Sequence, residues 1–336
     1  MTGRRNGTSI KEFTFLGFPS LRQMHSLVFL IVLIIYIVTV SGNTLIIVVI
    51  GRQPHLHTPM YFFLSNLALL EIFYTTNIVP KMLEGFLVEH KYISFIDCMV
   101  QLYFFLSMAC AENFLLTAMA YDRFVAICKP LHYATIMSNR VCFKLALCSW
   151  VLGFLIPIVP VLMVTRVDFC GSNVINHFFC DVSPLIKLSC TDSYQIKLVE
   201  FTVASSVLLT SCTIILLSYI YIISAILRIP SVSGRHKAFS TCISHLIIVS
   251  IFFGSGILIY IGPTAYQSFD LNKTVSVLYT VITPLFNPFI YTFRNEQVKT
   301  AFRNTVRRSI LRHRGCCYWL YCKEERPQSM KEKAST

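Results

Sequence analysis

The sequence predicts an all-α membrane protein: a seven-transmembrane helix bundle with a short amphipathic cytoplasmic eighth helix. Three observations carry this. The 336 residues are 55% hydrophobic and only 13% charged, with a mean hydropathy of +0.64, more apolar surface than a water-soluble fold can hide. Seven stretches reach the roughly 20 mostly apolar residues that a bilayer span requires. Two of them end in polar or helix-breaking motifs where hydrocarbon gives way to water: MAYDRFVAIC at Met119–Cys128 and PLFNPFIY at Pro284–Tyr291.

Taken in order, residues 1–26 are polar and interrupted by charge, so they form a short extracellular arm without a signal peptide, and the first span acts as its own insertion signal. The spans fall near 27–50, 60–80, 98–121, 141–164, 197–222, 238–261 and 273–292. Loops are mostly short; the longest, about 165–196, is rich in Cys, Asp and Asn, and loops of that length are usually functional. After Tyr291, the residues Phe293, Val298, Phe302, Val306 and Ile310 recur at helical spacing with Arg and Lys between them, as in a helix lying on a membrane surface. The tail past about 323 reads as disordered. The chain therefore divides into the arm 1–26, a seven-transmembrane domain 27–292, and an amphipathic helix with tail 293–336. Nothing repeats internally, which weighs against solenoid and duplicated-transporter architectures.

Charge sets orientation. Of 29 Lys and Arg, 19 fall on the side holding the loop after the first span, the segments 123–144 and 228–237, and the tail; basic excess marks the cytoplasmic side. The sequon Asn6-Gly7-Thr8 agrees, placing a glycosylation site on an extracellular amino terminus of a multi-pass plasma-membrane protein. A second sequon, Asn272-Lys273-Thr274, lies too near the bilayer to be used. The net charge of +13 is not a nucleic-acid footprint, because no soluble domain carries it; anionic membrane lipid is the expected partner. The 13 cysteines sort by side. Cys98, Cys170, Cys180 and Cys190 lie outside, where disulfides persist, and allow three connectivities. Cys110, Cys142, Cys148, Cys212 and Cys242 read as small buried hydrophobes, Cys128 as a reduced cytoplasmic thiol, and Cys316, Cys317 and Cys322 as palmitoylation candidates.

Ionisable groups in hydrocarbon are costly and mark function by default. Glu71 and Glu112 face the bundle interior, where they share a proton, hold a cation, or hydrogen-bond Asn43 and Asn287; the bland reading is that each is protonated and bonded to a neighbour. Asp122 and Arg123 form an acid and base at a cytoplasmic helix end, suited to a latch that breaks and remakes. Pro288 removes a backbone donor and frees a carbonyl that Asn287 or water satisfies, making a hinge; Tyr291, one turn on, swings toward Tyr219. His245 stands alone in an apolar helix and reads as a buried hydrogen-bonded residue. No HExxH, GxSxG or phosphate-cradling glycine loop occurs, so no enzyme, metal or cofactor is expected.

The motifs Gly42-Asn43, LHTPMYFFLSNLALLE (Leu56–Glu71), MAYDRFVAICKPLHY (Met119–Tyr133), Ser218-Tyr219, KAFSTCISHL (Lys237–Leu246) and PLFNPFIYTFRN (Pro284–Asn295) resemble those of olfactory (odorant) receptors, rhodopsin-like G-protein-coupled receptors, over roughly residues 12–310. The resemblance implies disulfides Cys98–Cys180 and Cys170–Cys190. It implies coupling to the heterotrimeric stimulatory G protein of olfaction with a rise in cyclic AMP, and an activation switch through Asp122, Arg123, Tyr219, His245, Asn287, Pro288 and Tyr291. It places an odorant pocket at Phe105, Leu106, Ala109, Cys110, Val203, Ala204, Val207, Phe253, Gly256 and Tyr260, suited to a small, largely hydrophobic volatile with one polar group. Two positions depart from the usual pattern: Glu71 stands where Asp is common, retaining the charge, and Phe253 where Tyr is common, removing a hydroxyl. The competing readings are a receptor for a non-odorant metabolite expressed outside the nose, and a membrane transporter or channel.

Overall fold

The computed structural model describes residues 11–88, 91–169, 172–190, 193–261, 269–286 and 290. Outside them lie Asn6, Cys170, Asn287, Pro288, Tyr291, Cys316, Cys317 and Cys322, together with the expected eighth helix and tail.

Hydrocarbon offers no water to backbone N–H and C=O groups, so a spanning segment must satisfy them within itself. Among the described residues, six helical runs meet the length and apolarity that this demands: α1 (His25–Arg52), α2 (Pro59–Leu87), α3 (Phe95–Cys128), α5 (Asn139–Leu155) continued by α6 (Ile158–Thr165), α8 (Tyr194–Leu227), and α9 (Val232–Gly256) continued by a π turn (Ile257–Ile261). A single turn, α4 (Tyr133–Ile136), lies between α3 and α5, and α7 (Val182–Ile186) lies in the long loop. The seventh expected span is described as α10 (Phe269–Val277), a π turn (Leu278–Ile282) and helix to Phe286. The chain is a multi-pass membrane protein. Exposed Ile34, Leu209, Leu216 and Ile220 leave outward faces suited to lipid.

Two boundaries depart from the sequence reading. α3 continues past 121 to Cys128 because its last two turns bear Asp122 and Arg123 and need no hydrocarbon partner. The fourth span, expected unbroken over 141–164, breaks after Leu155, because Pro157 has no N–H to give the carbonyl one turn back. The Tyr103 hydroxyl recovers one freed carbonyl by donating to Phe154 O at 2.9 Å.

From residue 11 the amino-terminal arm takes part in a sheet, which its reading as a short arm did not foresee. β1 (Glu12–Phe15) is the centre of a three-stranded sheet, antiparallel to β2 (Tyr92–Ser94), with Glu12 opposite Ser94, and parallel to β3 (Val174–Ile175), with Thr14 opposite Val174. Phe13, fully buried, meets Phe169 edge-on at 5.3 Å. Gly17 takes φ +62°, a backbone that favours glycine, and its carbonyl accepts from the buried ammonium of Lys273 at 2.8 Å. The disulfide Cys98–Cys180 ties α3 to the long loop beneath this sheet.

α3 packs against α2, α5, α8 and α9. Its closest neighbour is α5, where a Cβ on Gly153 would stand 2.6 Å from Ala111 Cβ and 2.8 Å from Ala111 N. Substituting Gly153→Val forces the two helices apart and is expected to cost about 1–3 kcal/mol; a thermal melt of the purified protein checks this, with Gly51→Ala, whose Cβ meets nothing within 4 Å, as the comparison.

Candidate functional site

An apolar cavity of about 80 Å³ opens inside the bundle toward the end that carries the sheet. On α3 the wall is Leu106, Ala109, Cys110 and Asn113, and on α8 it is Glu200, Val203, Ala204, Val207 and Leu208. Both sets follow i, i+3, i+4, i+7 spacing, one helix face each. α9 contributes Phe252 and Gly256, the π turn Tyr260, and Tyr279 closes the wall from the seventh helix. Ile156, Pro157 and Pro160, at the break in the fourth span, and Val182 from the loop also line it.

Eight of the ten pocket residues expected from the sequence meet at this wall; Phe105 and Phe253 do not. Phe105 turns toward α2 and the loop, 4.8 Å from Phe179 and 5.8 Å from Tyr74 between ring centroids, and Phe253 is buried in the core beside Phe252. Asn113, Glu200, Leu208, Phe252 and Tyr279 were missed, as were Ile156, Pro157, Pro160 and Val182. The first three were within reach of the sequence, since extending each helical stripe by one turn finds them.

A second, polar hollow of about 470 Å³ lies next to the cavity and shares Glu200 and Tyr260 with it. His177, Asp181, Lys187 and Lys197 stand on its wall. His177 is buried, stacked on Phe178 at 4.7 Å, and its imidazole is pushed down to about 3 by burial, with the ammonium groups of Lys273 and Lys187 adding to the effect. Asp181 caps α7 by accepting from Val182 N at 2.8 Å; burial nevertheless raises its carboxyl to about 6. The same loop is held to the bundle by Gln101, which accepts from Cys180 N at 2.9 Å and exchanges backbone bonds with Asn77 of α2 at 3.0 Å. Cys190 is also disulfide-bonded.

Deeper in the bundle, Glu71 on α2 and Glu112 on α3 are both buried and close enough to interact. No group of three or more His, Cys, Asp or Glu side chains fit for a metal occurs among the described residues. Asn43 does not meet them: its Nδ2 donates to Thr39 O at 3.0 Å and to Pro284 O at 3.5 Å. Asn43 on α1 thereby supplies a donor to Pro284 O; Asn287, to which the sequence reading assigned a freed carbonyl, lies outside the described residues.

At the far end, His245 sits between Tyr219 and α3. Its Nε2 lies 3.1 Å from Leu116 O and its Nδ1 2.8 Å from the Tyr219 hydroxyl. A carbonyl only accepts, so Nε2 carries the proton and Nδ1 accepts from Tyr219. One imidazole thereby joins α3, α8 and α9. Asp122 and Arg123, expected as a latch, each meet a partner on another element: Asp122 accepts from Tyr133 at 2.8 Å, and the Arg123 guanidinium contacts Met60 Sδ on α2.

A family model described as olfactory receptor matches residues 32–309. Olfactory receptor 226 of Rattus norvegicus is 50% identical over 310 residues, covering 91% of this chain and 95% of that protein. Olfactory receptor 6F1 of Homo sapiens is 51% identical over 294 residues, covering 88% of this chain and 96% of that protein. Olfactory receptor 6A2 of Homo sapiens is 49% identical over 310 residues, covering 91% and 95%.

Two measurements probe this geometry. Replacing Tyr219 with Phe strands the buried Nδ1 of His245 and is expected to lower the stability of the purified protein by about 1–3 kcal/mol, read as a lower midpoint in a thermal melt. For pH, the folded-state value of His177 lies below its unfolded value, so the folded form binds fewer protons between pH 6.5 and about 3, and stability falls as pH drops through that window. Asp181, raised from 3.8 to about 6, acts oppositely over the narrower range between those values. His177→Gln is expected to flatten the acid side of the melting profile, and Asp181→Asn to raise the midpoint above pH 6.

Proposed function

The chain belongs to the olfactory receptor family, and from that membership we propose that it is an odorant receptor that binds small, largely hydrophobic volatiles in the bundle cavity and activates a stimulatory olfactory G protein, raising cyclic AMP. The observation that carries this is that α9 bears both cavity wall, at Phe252 and Gly256, and His245, the residue tied to α3 and α8. A molecule lodged against the upper half of α9 bears on the same rod that the lower network holds. It shifts the equilibrium only if it binds the signalling state more tightly than the resting one.

The rest of the reading is built on this. The seventh span continues through Asn287 and Pro288 to about residue 292, and Tyr291 joins Asp122, Arg123, Tyr219 and His245 in the switch. An amphipathic helix follows, with Cys316 and Cys317 acylated near anionic inner-leaflet lipid. The amino terminus is extracellular, glycosylated at Asn6, with the chain in the plasma membrane and Cys170 bonded to Cys190.

The test is cyclic AMP in cells expressing the chain with an olfactory G protein, screened against a volatile panel, beside Arg123→Ala and Ala109→Trp at matched surface expression. A volatile response is expected in the parent chain and in neither variant. A response surviving Ala109→Trp removes the cavity from the reading; accumulation of labelled volatile in cells without any G-protein dependence replaces the receptor with a transporter.

A further inference from the structure

The cavity wall is apolar except at few points, and one of them is an acid. Glu200 stands on α8 where the apolar cavity and the polar hollow meet, lining both. Among the described residues it takes part in no ion pair, and no hydrogen bond to its carboxyl is seen. Lys197, one turn earlier on α8, lines only the polar hollow and is not paired with it. Asp181, the nearest acid, already accepts from Val182 N. A carboxyl at the edge of an apolar cavity without a protein partner is left to be satisfied by whatever occupies the space.

We propose that Glu200 is the polar anchor of the bound ligand, and that the cavity takes a small apolar molecule bearing a basic amine. This rests on the cavity being the ligand site. An alkylamine, like a lysine ammonium, is charged at neutral pH, and a charge-assisted bond to carboxylate is stronger than one between neutral groups. Its hydrocarbon body then lies against Val203, Ala204 and Val207, which follow Glu200 down the same face of α8. Tyr260, close to Glu200 and also on both walls, offers a hydroxyl that accepts a second ammonium hydrogen. The cavity wall supplies no cation that would welcome a carboxylic acid in its place; the lysines belong to the polar hollow.

The experiment uses the purified full chain in lipid nanodiscs and four probes on one skeleton: hexylamine, hexan-1-ol, hexanal and hexanoic acid, with affinities read by titration calorimetry. Hexylamine is expected to bind about tenfold or more tighter than hexan-1-ol. Glu200→Gln should remove that preference and leave hexan-1-ol within about threefold, while Glu200→Asp retains part of it. Hexylamine binding no tighter than hexan-1-ol in the parent chain, a ranking that needs no variant, overturns the proposal, as does an unchanged amine affinity in Glu200→Gln. If those results come with alcohol and aldehyde binding that Ala109→Trp abolishes, the anchor falls and the cavity stands; binding of all probes unaffected by Ala109→Trp removes both.

Discussion

Among the described helices α3 meets the most neighbours, packing against α2, α5, α8 and α9, and of its large apolar side chains only Ile96, Val100, Phe104 and Tyr121 stay exposed. In hydrocarbon, association gains little from burying apolar side chains, since lipid is as apolar as leucine, so close approach and polar contacts do the holding. α3 shows both. Ala111 admits Gly153 of α5 to backbone distance, and along one rod stand Cys98 in the disulfide, Gln101 bonded to Asn77 and the loop, Glu112 facing Glu71, the Leu116 carbonyl bonded to His245, and Asp122 bonded to Tyr133. None of these polar groups would be tolerated on an outward face. The position of α3 therefore registers every neighbouring helix at a height set by a specific contact, and the cavity is the space left where α3, α8 and α9 diverge above the His245 network.

What was legible in the sequence follows from range. Six spans were readable because a bilayer imposes one length and one polarity on each, a rule local to some 20 residues. The break in the fourth span was readable in principle from Pro157, whose missing donor acts on its own turn. The sheet was not, because β1 has meaning only through Ser94 and Val174, far along the chain, and four residues of EFTF carry no signal of that pairing. The cavity divides likewise. Leu106, Ala109 and Cys110, and Val203, Ala204 and Val207, follow from helical faces. Phe105, expected on this wall, packs instead against Phe179 of the loop and Tyr74 of α2, neighbours distant in sequence. Glu200 escaped notice although it is an acid in an apolar stretch, the signal that singled out Glu71 and Glu112; standing near the end of its span, it resembled an interfacial residue.

Polar partners also proved to be set by reach. Asp122 and Arg123 are adjacent in sequence, yet successive residues of a helix point about 100° apart and do not face each other. Each takes a partner from the element its own face meets, Tyr133 on α4 for the acid and Met60 on α2 for the base. Asn43 reaches Pro284 O for the same reason: that carbonyl faces α1.

The loop above the cavity is the part of the molecule least like a membrane protein. Its order comes from a disulfide, a strand pairing, and His177 stacked on Phe178 and edge-on to Phe179, the devices of a small secreted domain. Those devices hold His177 and Asp181 away from water, and both protonation states respond to that burial. The loop supplies His177, Asp181 and Lys187 to the polar hollow, and Glu200 and Tyr260 belong both to its wall and to that of the apolar cavity. On the proposed reading, a ligand's polar head meets those two groups already in place while its apolar body lies between α3, α8 and α9.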